Sequence, residues 1–426
     1  MDNRVVITGT GLVSSLGLTP RDTWDALLAG KSGIRPIEGF DARGFECPRA
    51  AQVPGLGPSE LNIHPRDSRI MDRHSYMLLK CSRDAVREAR LDSGAVAADD
   101  IGFFAGMGMV DYNIEDLLPA VTPSLDKGGA LDYDRFFSGA YREIHPLWPL
   151  SMLNNIGFCQ AAIDLGIRGE NTTFSPHADS GVHAVIEAYH TLLEGKAEAV
   201  LAGGVSEKVS PLSMARALWS GLLNTSDRGH DAPCRPFGRD RSGTILGEGC
   251  GILSLELQSS AGKRNVSPLA AVTGYGASCE LSADAHCPTP QAMSLSMEQA
   301  IAGAALEPSD IDLIIAHGDG TLKGDGHEIE AIHRTFSPVI DRMVVFSSKG
   351  ALGHLLAGAP AVDAVLAVCM MTQGIVPSAS LLPPHDESIK FTMAGDTPRS
   401  LRPRRILINS RSSEGQCASL IIESVK

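Results

Sequence analysis

The sequence has few aromatic residues and fewer basic than acidic ones. Aromatic residues make up 5% of its 426 residues, and 37 lysines and arginines stand against 50 aspartates and glutamates, so the formal net charge is −13. The overall negative charge of such a chain does not attract nucleic acid or an anionic membrane, which are also negatively charged. Neither is therefore expected as a partner.

Paired cysteines and long apolar runs are also missing. The nine cysteines are scattered without a C-x-x-C spacing, which argues against a zinc site. We therefore expect no metal. The odd cysteine count and the lack of a signal-like start predict reduced, cytoplasmic thiols. We see no apolar run of about 18 residues, so no membrane span is expected.

Strand-like and helix-like patterns alternate along the chain. Residues 4–9, 199–202, 311–316 and 405–408 have the composition of strands, and residues 75–91 and 184–193 that of helices. This alternation predicts an α/β fold with mostly buried sheets.

An internal echo predicts two similar halves. Residues 7–11 resemble residues 272–276, and residues 199–204 have a counterpart in 313–318. The polar, loop-like stretch at 257–268 is the predicted seam. We therefore assign an N-terminal half at 1–260, with an insertion at about 107–148, and a C-terminal half at 261–426.

Two kinds of turn carry candidate site residues. Residues 171–184 read as a strand that turns into a helix near Asp179 or Ser180, which would place Ala178 at a helix N-terminus, where anions are stabilised. His317, Lys349 and His354 each lie in a glycine-rich turn. Taken singly, such residues are more often structural than functional.

Several long motifs in order resemble the β-ketoacyl-acyl-carrier-protein synthase family of the thiolase-like superfamily. They are residues 5–17, 203–211, 235–251, 318–328 and 349–358. The resemblance implies two similar α/β halves in a five-layered αβαβα arrangement, normally as a dimer. It also implies acyl chains delivered on the phosphopantetheine of a carrier protein, with no other cofactor.

The resemblance also implies where the reacting groups lie. In the family, a cysteine at a helix N-terminus accepts the acyl chain, while two histidines and a lysine serve decarboxylation of a malonyl unit. By position, these are His317, His354 and Lys349, and the nucleophile position is Ala178, preceded by His177. A methyl group cannot carry a thioester.

Further departures lie in the C-terminal loop. The family pattern Asn-Ser-Phe-Gly-Phe-Gly-Gly falls on residues 409–415, which replace its centre with Arg411, Ser412, Ser413 and Glu414. In the family, this loop gates the acyl pocket and supplies an oxyanion N–H. We expect Glu414 to place negative charge near the oxyanion. Asp319 stands where the family usually has threonine.

Three functions remain open at this point. The first is a non-condensing subunit, similar to a chain-length factor, which pairs with an active ketosynthase and shapes its acyl pocket in fatty-acid-like or polyketide biosynthesis, with polyene pathways a fitting case. The second is a malonyl-carrier-protein decarboxylase. The third is an active synthase whose cysteine has been replaced by alanine through engineering. Whether the chain is an enzyme by itself is therefore left open.

Two surface features are candidates for partner binding. The 107–148 segment is a candidate interface with an active ketosynthase, or alternatively an insertion with its own small core. Its aromatic residues are Tyr112, Tyr133, Phe136, Phe137, Tyr141 and Trp148. The basic cluster of Arg402, Arg404 and Arg405 is a candidate docking site for an acidic carrier protein, or simply a solvated loop.

Overall fold

The structure of the chain is a computed structural model. It describes residues 4–111, 114–175, 177–226, 234–282, 287–378, 384–394 and 397–425, and Tyr112 of the candidate interface lies outside them. The strands are β1 (Val5–Ser14), β2 (Arg35–Pro36), β3 (Arg49–Ala50), β4 (Ile101–Met107), β5 (Asn171–Phe174), β6 (Ala199–Val205), β7 (Gly249–Leu257), β8 (Ala270–Cys279), β9 (Leu313–Ile315), β10 (Val344–Phe346), β11 (Ile375–Val376), β12 (Thr392–Met393), β13 (Arg399–Ser400), β14 (Arg405–Arg411) and β15 (Gln416–Glu423).

The helices complete the element order. They are α1 (Pro20–Leu28), α2 (Arg73–Glu88), α3 (Leu118–Val121), α4 (Tyr133–Ser138), α5 (Asn155–Leu165), α6 (Ser180–Leu193), α7 (Pro211–Trp219), α8 (Gln258–Lys263), α9 (Pro290–Gly303), α10 (Leu322–Phe336), α11 (Lys349–Leu352) and α12 (Ala359–Gln373). Short 3-10 turns lie between several of them.

The main sheet repeats one topology twice. The first half has the spatial order β1-β7-β6-β4-β5, and the second half has β8-β15-β14-β9-β10. We number the five strands of each half in chain order, leaving out the two-residue strands. In both halves the spatial order is then first, fifth, fourth, second, third. The pairings match as well, antiparallel for the first two contacts and parallel for the last two. The internal echo in the sequence is thus matched by a duplicated strand order.

The two halves are joined along their first strands. Val5, Val6 and Ile7 of β1 pair antiparallel with Val272, Ala271 and Ala270 of β8. β12 adds a short strand beside β10 at the far edge. The opposite edge ends in β5, whose residues are exposed or half-buried.

Helices fill three layers around these sheets. α2 and α5 cover the outer face of the first half, and α9 and α10 cover that of the second. α6 and α12 lie between the halves, where α12 contacts both β7 and β14. This is the five-layered αβαβα arrangement of the thiolase-like fold, and the prediction of fold class is confirmed.

The middle layer contains an apolar stretch that the sequence analysis did not recognise. Leu356–Gln373 is long and apolar enough to cross a membrane by length and composition alone. Most of it is buried within the fold, with Val362, Val365 and Leu366 fully inaccessible. Such burial is typical of a core helix whose surroundings are apolar on every side.

Close backbone packing sets where α6 begins. A Cβ at Gly106 of β4 would lie 2.5 Å from the N atom of Gly181, and one at Gly181 would lie 2.6 Å from the carbonyl oxygen of Ala357. Only glycine allows these approaches. They draw the first turn of α6 against β4 and the start of α12, and this contact places Ala178 in the interior.

Several boundaries differ from the sequence expectations. The seam at 257–268 is not a plain loop, because β7 continues to Leu257 and α8 follows at once. The helix expected at 75–91 begins at Arg73, where Asp72 forms a capping box with Ser75, and it ends at Glu88. The helix begins two residues earlier than the apolar periodicity predicted, because Asp72 caps its N-terminus.

The 107–148 segment is built from short helices, among them α3 and α4. Tyr133, Phe137 and Tyr141 are exposed, whereas Phe136 and Trp148 are half-buried. Among the described residues after Met107, the buried ones are few (Gly108, Ala120 and Ser124). The segment therefore presents apolar side chains to solvent rather than enclosing them in a core of its own.

Candidate active site

One cavity of about 710 Å³ gathers most of the predicted site residues. Its wall includes Ala178, His317, His354, Arg411, Ser412, Ser413 and Glu414, together with Asp319 and Cys287. Lys349 does not line it. The lysine lies behind the histidines in the first turn of α11 and is 1% exposed.

Ala178 lies between β5 and α6, directly before the helix, as the sequence predicted. The residue is 8% exposed. Its backbone N–H donates to Ser412 Oγ at 2.8 Å, and the Ser410 hydroxyl donates to its carbonyl oxygen at 3.0 Å. A backbone donor beside the nucleophile position is thus already occupied by Ser412.

Asp179 anchors this arrangement. The Ser412 hydroxyl donates to Asp179 Oδ1 at 2.6 Å, and His183 Nε2 lies 2.9 Å from Oδ2. Burial raises the pKa of Asp179, but the hydrogen bonds from His183 and Ser412 outweigh it and hold the pKa below its ordinary value. The carboxylate stays ionised and keeps Ser412 turned toward Ala178.

The two histidines lie side by side on one wall of the cavity. Their ring centroids are 4.9 Å apart and the rings are nearly perpendicular. His317 Nδ1 accepts the backbone N–H of Arg411 at 3.2 Å, and His354 Nδ1 accepts that of Leu356 at 3.0 Å. Because a neutral imidazole carries one proton, each ring presents an Nε2–H donor.

Both imidazoles are kept neutral. Burial, followed by the charges of Lys349 and Arg411, lowers the pKa of His317 well below its usual value. Burial and Lys349 lower the pKa of His354 to about 3. The pair therefore offers two neutral N–H donors that suit a carbonyl oxygen or an oxyanion.

Buried acidic groups hold this side of the cavity in place. The Glu328 carboxylate accepts the backbone N–H groups of His317 and Gly318, each at 2.8 Å. Asp363 accepts the Ser348 hydroxyl at 2.6 Å, and burial raises the pKa of Asp363 although the Lys349 charge opposes this. These contacts fix the turns that carry His317 and Lys349.

Asp319 and Arg411 form an ion pair that the sequence analysis missed. Arg411 Nη2 donates to Asp319 Oδ2 at 2.6 Å, with side-chain exposures of 5% and 1%. Burial alone would raise the pKa of Asp319, but the Arg411 guanidinium holds it below its usual value. The guanidinium also covers Gly324, where any Cβ would overlap it. Asp319 and Arg411, which both depart from the family pattern, thus form a single ion pair.

Glu414 lies elsewhere than expected. Its side chain is 54% exposed at the mouth of the cavity, and its Oε2 is 3.1 Å from Nδ1 of His177. The expectation of a charge beside the oxyanion position is wrong, because the loop turns outward after Ser412. Ser412 is the loop residue that contacts Ala178.

Cys287 is a second residue that the sequence analysis did not single out. It is 3% exposed and lines the cavity, and its Sγ lies 3.3 Å from His327 Nδ1. That nitrogen also lies 2.8 Å from the carbonyl oxygen of Pro288, which can only accept a hydrogen bond. His327 therefore donates here and cannot serve Cys287 as a base.

The basic cluster lies far from the cavity. Arg405 begins β14, whereas Arg411 ends it beside the cavity, so five residues of extended chain separate the two. Arg405 also pairs with Asp310 and Glu423 at 3.6 Å each. A carrier protein bound at Arg402, Arg404 and Arg405 would face the wrong end of this strand.

A cation would be poorly held among the histidines. Ligand atoms of His317, Asp319 and His354 lie within 4.8 Å of one another. However, both Nε2 atoms carry protons when Nδ1 accepts, and Asp319 is already paired with Arg411. The two Nε2–H groups are hydrogen-bond donors, and they suit an electron-rich oxygen better than a cation.

Fold and site together define a thiolase-like scaffold with a buried pair of N–H-donating histidines. The family model for the β-ketoacyl synthase N-terminal domain matches residues 2–261, and that for the C-terminal domain matches residues 269–381. The chain belongs to the β-ketoacyl synthase family.

The chain is similar to known proteins along nearly its whole length. A 3-oxoacyl-[acyl-carrier-protein] synthase 2 from Staphylococcus aureus (strain COL) is 30% identical over 388 residues, which cover 91% of this chain and 90% of the relative. The structure of the ishigamide ketosynthase/chain length factor is 27% identical with a TM-score of 0.87, covering 100% of both chains. A β-ketoacyl synthase from Burkholderia phymatum STM815, at 24% identity and a TM-score of 0.86 over 100% of both chains, shares the fold.

Proposed function

We propose that this chain is a non-condensing ketosynthase-like subunit, a chain length factor, which pairs with an active β-ketoacyl synthase. The observation that carries the proposal is the state of the nucleophile position. Ala178 has no acyl-accepting atom, and its backbone N–H is taken by Ser412. A scaffold without a thiolate there has no means of holding a growing chain covalently at that point.

The changes around Ala178 favour a natural rather than an engineered origin. Ser412 and Asp179 form a connected set of hydrogen bonds with it, and Asp319 and Arg411 form a second buried pair nearby. A single engineered exchange of cysteine for alanine would create neither set. The similarity to the ishigamide ketosynthase/chain length factor supports a place in an assembly of this kind.

The first half carries surfaces suited to a partner subunit. β5 is an edge strand with exposed or half-buried residues, and an exposed edge can pair with another chain. The segment that follows β4 exposes several large apolar side chains. These, with exposures from 40% at Met152 to 67% at Tyr133, are Leu118, Tyr133, Phe137, Tyr141, Leu147, Met152 and Leu153.

Co-expression with an active ketosynthase encoded by a neighbouring gene tests the pairing. We expect the two chains to elute together from size exclusion. Phe137→Asp should weaken the complex, because it puts a charge beside the exposed Tyr133 ring. Leu295→Asp is the matched control, since Leu295 is 46% exposed but lies on α9 of the other half. A chain that remains alone with every active synthase tested would contradict the proposal.

A malonyl-carrier-protein decarboxylase is the second candidate. Both histidines present Nε2–H donors, which suits an enolate oxygen, and loss of CO2 requires no thiolate. Acetyl-carrier protein should then form from malonyl-carrier protein with the wild type and not with His317→Ala. Absence of the product with the wild type would remove this candidate.

A further inference from the structure

The turn between β14 and β15 is bonded to its surroundings along its whole length. We call residues 411–415 the tip of this hairpin. The tip has a regular frame of its own, because the Ser412 N–H donates to the carbonyl oxygen of Gln416 at 2.9 Å and the Gly415 N–H to that of Ser412 at 3.3 Å. Turns usually open locally with ease, since few buried contacts oppose it. The contacts of this tip predict the opposite.

The first attachment joins the tip to the start of α6. The Ser412 hydroxyl donates to Asp179 Oδ1 at 2.6 Å and accepts the Ala178 N–H at 2.8 Å, so one side chain bonds two residues of the facing turn. Just before the tip, the Ser410 hydroxyl donates to the carbonyl oxygen of Ala178 at 3.0 Å. Ser412 and Asp179 are each 2% exposed, so water is not at hand to replace these bonds.

The second attachment joins the tip to the turn that follows β9. Arg411 Nη2 donates to Asp319 Oδ2 at 2.6 Å and to Thr321 Oγ1 at 3.4 Å, and the Arg411 N–H donates to His317 Nδ1 at 3.2 Å. A Cβ at Gly324 would lie 1.8 Å from Nη2, so the guanidinium packs directly on the backbone of α10. Moving the tip away would separate two buried charges, which is strongly unfavourable.

The third attachment lies at the end of the tip. The Glu280 N–H donates to the carbonyl oxygen of Gly415 at 3.1 Å. Gly415 has a φ of 101°, and a Cβ there would lie 3.0 Å from the N atom of Leu281, so the close approach depends on glycine. The contact of Glu414 with His177 is exposed and adds little.

We propose that the tip is a fixed crosspiece of the cavity, which ties the start of α6 to the turn after β9 and does not open. Adjacent residues of the tip, Ser412 and Arg411, hold Ala178 on one turn and Asp319 on the other. The cavity of about 710 Å³ therefore keeps one shape, and any ligand has to fit it as it stands. This inference goes beyond the proposed function, because it holds whether or not the chain pairs with a synthase.

Hydrogen–deuterium exchange of the full-length chain, resolved by residue and corrected for sequence, tests the proposal. In the wild type, the N–H groups of Ala178, Arg411 and Ser412 should exchange within about tenfold of the rate at Ile408, which lies inside β14. The exposed loop at residues 43–46 provides the fast reference. Exchange of these three groups as fast as in that loop would overturn the proposal.

Ser412→Ala releases the first attachment and leaves the hairpin backbone in place. The Ala178 N–H should then exchange at least about tenfold faster, although the substituted residue lies 234 positions away in the chain. Ser413→Ala is the matched control, because the Ser413 hydroxyl bonds its neighbour Glu414, and it should leave exchange at Ala178 unchanged. The same rate at Ala178 in Ser412→Ala as in the wild type would contradict the first attachment.

The double variant Asp319→Thr with Arg411→Phe releases the second attachment without leaving a buried charge alone. Exchange at Ser412 and Gly415 should rise at least about tenfold. Exchange at Val365, which is fully buried in α12, should stay as in the wild type and thus show that the fold as a whole is intact. If Val365 also exchanges faster, the wild-type rates and Ser412→Ala decide the question. Unchanged rates at Ser412 and Gly415 would overturn the role of the ion pair.

Discussion

The two walls of the cavity have diverged to different degrees from the family pattern. The wall built from the start of α6 and the loop after β14 has alanine in place of the nucleophile, and Ser412 takes the nearby N–H. The wall built from the turns after β9 and β10 keeps His317 and His354, with Lys349 behind them, and Glu328 and Asp363 support these turns. The comparison teaches that the histidine side of the cavity can keep the family pattern while the nucleophile position has lost its thiol.

The largest expected effect comes from the ion pair that connects the two walls. Arg411→Met leaves the Asp319 carboxylate buried without its partner, which should cost about 3–5 kcal/mol of unfolding free energy. Denaturant titration measures it. Asp319→Thr combined with Arg411→Phe should recover most of the loss, and a single variant as stable as the wild type would contradict this account.

Restoring the thiol sharpens the comparison at the altered wall. Ala178→Cys alone should be acylated slowly, because Ser412 still holds the neighbouring N–H. Adding Ser412→Gly frees that donor and should raise the rate about 10²–10³-fold. Intact-mass kinetics with an acyl-carrier protein measure both rates, with Cys159→Ala, Cys279→Ala and Cys287→Ala in the background so that neither an exposed thiol nor the cavity-lining one carries the adduct. Equal rates would show that Ser412 does not matter.

The buried His354 on the wall that keeps the family pattern should make the stability of the protein depend on pH. The folded-state pKa of His354 is about 3, below its unfolded value, so the unfolded state binds more protons between these values. Stability is therefore full above about pH 6.5 and falls as the pH drops, by up to about 1.4 kcal/mol per pH unit for this group. His354→Gln should make the profile between pH 4 and 6 less steep, and His317, whose pKa is also lowered by burial, accounts for the slope that remains.

A surface histidine provides the control for that experiment. His64 is exposed, so His64→Gln should leave the profile unchanged. A His354→Gln profile as steep as that of the wild type would mean that the buried imidazole is not the cause.

The smallest effect is expected at the cavity mouth. His177 and Glu414 are 34% and 54% exposed, and such pairs contribute about 0.2–1 kcal/mol at most. A double-mutant cycle with His177→Asn and Glu414→Gln measures the coupling. A coupling of several kcal/mol would mean that this pair is shielded from solvent, which would contradict its exposed position.

The sequence predicted the scaffold better than the site. The strand starting at residue 199 and the helix after Ala178 followed from periodicity and turn chemistry, since these signals are local. Asp319 and Arg411 were both recognised as departures, but nothing local joins residues 92 positions apart. Their contact depends on the register of β14 against β9, and so does the outward turn that carries Glu414 to the mouth.

The central claim is that this chain alone cannot condense acyl units. The direct measurement incubates the isolated wild type with acyl- and malonyl-carrier proteins and follows both protein mass and products. We expect no acyl adduct and no elongated chain until an active synthase is added. Elongation by the isolated chain, with a covalent acyl intermediate, would contradict the account.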